Sequence, residues 1–108
     1  MPLRLFYLPS YERCLKQLGH RERQIAGLVV STLQSYFGSG LPVGSKPYVF
    51  EAQGRSYRLV FKKLRDQIWE AYVEGQIRVL TRFEDGSHFL VFAGNRDQDQ
   101  VRKFLRKA

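Results

Sequence analysis

One cysteine in a chain of 108 residues cannot close an internal disulfide, and Cys14 has no second thiol beside which a zinc ion could be held. A disulfide scaffold is excluded, and a reducing cytoplasm is the expected compartment. Long apolar runs are also missing. The opening Met-Pro-Leu-Arg reaches Pro9 and Glu12 before any such run develops, so neither a signal peptide nor a membrane span is expected. The two histidines, His20 and His88, are too isolated to suggest a metal site or a nuclease pair. There is no phosphate loop, dinucleotide fingerprint or nucleophile elbow, and no internal repeat or low-complexity tract. Neither a metal nor a small-molecule cofactor is expected.

Acidic residues are few: 10 Asp and Glu stand against 18 Lys and Arg, a net charge of +8. A charge of this size serves solubility by itself. Its distribution points instead to a polyanionic partner, because Arg55, Arg58, Lys62, Lys63 and Arg65 share one eleven-residue segment without an acidic residue. The hydrophobic fraction of 44%, with eight phenylalanines, six tyrosines and one tryptophan, can fill one core. At this length a single domain over residues 1–108 is the expectation.

Leu3 to Leu8 is short, apolar and loosely alternating, and Pro9 ends it, which suits a first strand. Ser10 is placed to cap a short helix whose apolar positions are Tyr11, Cys14, Leu15 and Leu18, stopped by Gly19. A second helix runs from about His20 to Phe37 on the stripe Ile25, Leu28, Val29, Leu33, Tyr36 and Phe37, and Gly38 closes it. The two should form a hairpin facing a sheet. After an irregular stretch from Gly38 to Pro47, five segments read as strands: Tyr48 to Ala52, Tyr57 to Phe61, Ile68 to Val73, Ile77 to Phe83 and Phe89 to Ala93. Glu74-Gly75 and Asp85-Gly86 provide turns, and Val49 to Leu64 holds either a hairpin around Gln53-Gly54, the preferred reading, or a loop with a basic edge. Gln98 to Lys107 has an apolar face of Val101, Phe104 and Leu105 and a basic face, so a short C-terminal helix is expected. The class is α+β, with a helical hairpin packed on an antiparallel meander.

The run from Phe61 to Leu80, with Lys63-Leu64 before Trp69-Glu70 and then a tight turn into Arg78-Val79, resembles the central sequence of RelE-like toxins. Ala93-Gly94-Asn95-Arg96-Asp97, followed by Val101 to Leu105, is similar to that family's closing strand and loop. So is the opening strand, Pro-Ser, aromatic and charged helical hairpin. The resemblance to the RelE/ParE superfamily covers nearly the whole chain, although Lys46 to Phe61 is longer than that pattern. It implies the toxin of a bacterial toxin-antitoxin pair, partnered by a cognate antitoxin, that represses translation by cleaving messenger RNA on the ribosome without metal. The ParE branch shares the fold and inhibits DNA gyrase instead, and fold alone does not choose. A third reading is a stand-alone basic RNA-binding module, with Tyr57, Phe61, Tyr72 and Phe83 as stacking groups.

Cleaving RNA requires a base for the 2′-hydroxyl, cations around the phosphate and a proton donor for the leaving 5′-oxygen. Arg78 aligns with the family's strand arginine. Since Ile77 and Val79 should enter the core, its guanidinium belongs on the opposite, solvent-facing side as a phosphate clamp, or paired with Glu70 across the hairpin. Arg82, four residues along, shares that side. Arg96 matches a closing-loop position that would supply a general acid or a phosphate contact, whereas Asp97 suits a helix cap. Lys62, Lys63 and Arg65 would hold RNA backbone, or would protect an edge strand from aggregation. The best-studied branch has lysines where Glu70 and Tyr72 stand. The usual base is therefore missing, which leaves two alternatives: Glu70 substitutes as base with Tyr72 as donor or stacking group, or the activity is weak, altered or lost. Trp69, one step out of phase, is expected to face the helices.

Overall fold

Proline has no N–H and a fixed φ, so it is tolerated where a helix begins and its first donors have no partners anyway. Helix α1 starts there, at Pro9–Gln17, directly after strand β1 at Arg4–Tyr7. The computed structural model describes residues 4–38, 48–52, 54–73 and 77–95, together with Lys103 and Arg106. Ser10 is not the cap that was expected. Leu8 holds that position without a side-chain cap, and the Ser10 hydroxyl instead donates to the Val91 carbonyl at 2.9 Å, fastening α1 to the sheet. Helix α2, His20–Gly38, begins after Gly19, whose N–H donates to Glu22 Oε1 at 3.2 Å in the manner of half a capping box.

Strands β2 Tyr48–Ala52, β3 Arg55–Arg65, β4 Ile68–Tyr72, β5 Ile77–Glu84 and β6 Ser87–Asn95 form the expected antiparallel meander. The sheet is mixed, however, because β1 lies parallel to β6 at one edge, in the order β1-β6-β5-β4-β3-β2. The chain leaves β1 through Leu8, whose N–H bonds to the Leu90 carbonyl, so β1 and the start of α1 are both tied to β6. At Asp85-Gly86 both central residues have positive φ, 51° and 77°, between the paired Glu84 and Ser87. That is the turn type whose twist matches a hairpin. Gly54 at φ 74° serves between Ala52 and Arg55. The Glu74-Gly75 turn, Arg96, Asp97 and all of the expected C-terminal helix except Lys103 and Arg106 lie outside the described residues, and those two are helical and exposed.

The main core lies between the helices and one sheet face. Helix α1 packs chiefly on β6 and α2 on β5 and its neighbours. Tyr11, Val29, Leu33 and Tyr36 meet Leu59, Phe61, Val79 and Leu90 there, with Trp69 stacked on Phe61 as expected of a helix-facing residue. Ser35 Oγ and the Tyr48 hydroxyl, 2.6 Å apart, tie α2 to β2. Among the described residues no helix is long and apolar enough to cross a membrane.

Candidate functional site

Residues paired directly across neighbouring strands share a face, and side chains alternate along each strand. Register therefore assigns the face turned away from α2. Lys62 pairs with Glu70, Glu70 with Leu80, and Leu80 with Phe92, making one row across β3, β4, β5 and β6. One step along, Val60 pairs with Tyr72 and Arg78 with Gly94. On the other side of the central row, Arg65 pairs with Ile68, Ile68 with Arg82, Arg82 with Phe89, and Phe89 with Phe6.

Glu70, Tyr72 and Arg78 form the centre of this face. The Arg78 guanidinium carbon lies 3.5 Å from the Tyr72 ring centroid, and Arg78 Nε lies 3.5 Å from Glu70 Oε1. Arg78 is on the face expected of it, but it does not face solvent: only 5% of it is exposed, and the Glu70 side chain is 14% exposed. The physical reason is the neighbourhood. Two residues along the same strand face, Leu80 joins Val91 and Phe92 in a second, smaller apolar cluster on the sheet, and the guanidinium lies over the Tyr72 ring. A planar, weakly hydrated cation tolerates such burial when a carboxylate and an aromatic face satisfy it. Among the described residues, no buried side-chain nitrogen or oxygen is left without a partner.

Exposed cations stand around this centre. Lys62 is directly across from Glu70 and exposed, and Arg65 is exposed at the end of β3. Arg82 is half-exposed and makes a 3.9 Å surface pair with Glu84. Lys63 is separated from the other two expected contacts, because it pairs with helix-facing Trp69 and so has the opposite parity. A bulge between Lys63 and Arg65 then restores Arg65 to the Arg82 row. Arg96 lies outside the described residues.

The aromatic groups sort differently from the expectation. Of Tyr57, Phe61, Tyr72 and Phe83, only Tyr72 is on this face; Phe61 is buried in the core, Tyr57 packs against it, and Phe83 packs on helix-facing His88. The aromatic pair on the Arg82 row that sequence reasoning missed is Phe6 and Phe89, stacked with centroids 5.2 Å apart. Counting back from the Asp85-Gly86 turn would have placed Phe89 opposite Arg82. No local signal marks Phe6, whose pairing is long-range and parallel.

His88 belongs to the core. It is enclosed by Phe37, Phe61, Trp69 and Phe83, its Nδ1 lies 3.0 Å from Thr81 Oγ1, and burial pushes its pKa down to about 4. Cys14 is a half-buried free thiol touching both apolar clusters. Among the described residues no group of three His, Cys, Asp or Glu side chains is placed to hold a metal ion. The site thus consists of an oriented carboxylate, a phenol and a buried guanidinium, edged by exposed cations and a stacked aromatic pair. Compared with known proteins, the chain matches no family profile and no curated sequence.

Proposed function

We propose that the chain is a toxin of the RelE type, a cytoplasmic and metal-independent endonuclease that cuts messenger RNA on the ribosome and is restrained by a cognate antitoxin protein. The observation that carries this reading is the sharing of one sheet face by Lys62, Glu70, Tyr72, Arg78 and Arg82. The strand-helix-helix-meander order and the RelE/ParE-like sequence run from Phe61 to Leu80 support it.

In this reading Glu70 takes the proton of a ribose 2′-hydroxyl as the 2′-oxygen bonds to phosphorus. The bond from phosphorus to the 5′-oxygen breaks, a 2′,3′-cyclic phosphate forms, and the departing oxygen takes a proton from the Tyr72 hydroxyl. Arg78 is a positioning residue, since its guanidinium holds Glu70 on one side and Tyr72 on the other. Lys62 and Arg82 lie in the open and offset the phosphate charge, with Arg65 and, on the other parity, Lys63 contacting more distant backbone. Arg96 retains the closing-loop role that the sequence resemblance implies.

One observation favours a second reading: with Arg78 buried against Glu70, the strand arginine is withdrawn from solvent, as befits a non-nucleolytic ParE-like inhibitor. Induced expression in bacterial cells with transcript-end mapping separates the two. Growth arrest should come with new ends inside translated messages, and Glu70→Gln should reduce cleavage by roughly a hundredfold or more. Arrest without new ends, undiminished by Glu70→Gln, selects the gyrase-type reading. No arrest leaves a basic RNA-binding module.

A further inference from the structure

Among the described residues Phe6 is one of three large hydrophobic side chains left open to solvent, at 40% exposure, and it is on an edge strand. Its ring stacks on Phe89 at an interplanar angle of 21°. Phe89 is opposite Arg82, and that row shares its face with Glu70, Tyr72 and Arg78. An exposed ring backed by a second ring on a paired strand is held rigid, so a further planar group can stack on it at little entropic cost. A half-exposed guanidinium beside it supplies a contact for an anion carried by the same ligand.

We infer that Phe6 and Phe89 form a stacking platform for an unpaired nucleobase of single-stranded RNA, with Arg82 holding the adjoining phosphate. The inference rests on the RNA-directed reading above and adds a binding subsite to it. Two strand spacings and one two-residue step separate Glu70 from Phe89, roughly 12 Å, and one more spacing takes Phe6 to roughly 16 Å. One strand can therefore meet both places. The charge of +8 and the cations of this face favour a nucleic acid over an apolar protein segment as the occupant.

The test is equilibrium binding of a labelled single-stranded oligouridylate, and of the same oligomer carrying abasic positions, to the full chain. Phe6→Leu keeps an apolar side chain on β1 and removes the ring, and Phe6→Trp restores a ring; thermal melts of both show whether the edge strand is intact. Phe6→Leu should weaken binding of the intact oligomer by roughly tenfold, and Phe6→Trp should restore it. Wild-type protein should lose a similar factor on abasic RNA, for which Phe6→Leu should make no further difference. The salt dependence should be shared by wild type and Phe6→Leu, because stacking releases no counterions.

Equal affinity of folded Phe6→Leu and wild type would overturn the platform, as would indifference of wild type to base removal or failure of wild type to bind RNA. Retained RNA affinity accompanied by loss of a co-purifying protein would reassign the rings to a protein contact. Failure of the endonuclease reading is separate: base-dependent and Phe6-dependent binding without cleavage on ribosomes leaves the platform standing and removes the enzyme, and cleavage with Phe6-independent binding does the reverse.

Discussion

Arg78 shows how much the environment of a single residue changes its meaning. As a solvent-facing strand arginine it would be replaceable at little cost to folding, but it is buried between a carboxylate and an aromatic ring. Removing it leaves Glu70 mostly buried and without that cation, so Arg78→Ala should cost about 3 kcal/mol in urea unfolding. Replacing both partners, as in Arg78→Met with Glu70→Leu, should recover most of that loss, because no uncompensated charge remains. A single variant as stable as wild type would show that the pair contributes nothing to the fold. His88 makes a second prediction, through pH. Its ring takes a proton near pH 6.5 when unfolded and only at about 4 when folded, so unfolding takes up a proton in between. The stability owed to the neutral ring is complete above about pH 6.5 and falls as pH drops towards 4, by about 3 kcal/mol over the window. Urea midpoints for wild type and His88→Gln, compared across that window, cancel the carboxylates common to both. The variant should lose distinctly less stability on acidification, and parallel losses would refute the role of His88.

At the scale of elements, two glycines with the same open surroundings should respond in opposite ways. No atom beyond the local chain lies within 4 Å of a Cβ added at Gly27 or at Gly86, so neither substitution meets a clash. Gly27 is inside α2, where alanine adopts the required backbone and restricts the unfolded chain, so Gly27→Ala should stabilise by about 0.5–1 kcal/mol. Gly86 has φ 77° in the β5–β6 turn, and Gly86→Ala should destabilise by about 1–2 kcal/mol. Melting temperatures moving in the same direction would contradict the backbone assignments. The same turn was legible in the sequence, since Asp-Gly between alternating apolar runs has one dominant geometry. Both helices were legible from their periodicity and the bounding Pro9, Gly19 and Gly38. The length of β3 was not. Its second half, Lys62 to Arg65, carries exposed cations and a bulge, so it lacks the strict alternation by which a half-buried strand is recognised. That bulge also concealed that Arg65 shares the face of Lys62 and not that of Lys63. The pairing of β1 with β6 could not be read locally, because it depends on α1 being fastened to β6 through Ser10 and Leu8. Of the candidate site, the common face of Arg78, Arg82 and Glu70 followed from alternation, whereas the burial of Arg78 depends on packing that no local pattern encodes.

For the whole molecule, the question is whether its charge acts as a diffuse total or as a directed surface. A diffuse +8 would attract RNA to any side of the protein, and neutralising any two cations would weaken binding alike. A directed surface makes the two sides unequal. Lys62 and Arg82 belong to the face that carries Glu70 and Tyr72, whereas Arg21 and Arg23 are exposed in the first turns of α2, on the other side of the sheet. Lys62→Gln with Arg82→Gln, and Arg21→Gln with Arg23→Gln, each remove two charges and leave the same net charge. Their effects on the salt dependence of RNA binding therefore compare location alone. Each phosphate contact on a single strand contributes about 0.7 to the slope of log affinity against log salt. The sheet-face pair should therefore flatten that slope by about 1.4, and the helix pair should leave it nearly unchanged. Affinity at one salt concentration would not discriminate, because long-range attraction responds to both variants. Measured from about 50 to 200 mM salt, equal flattening by the two pairs would refute a directed interface, and a larger effect of Arg21 and Arg23 would move it to the helical side.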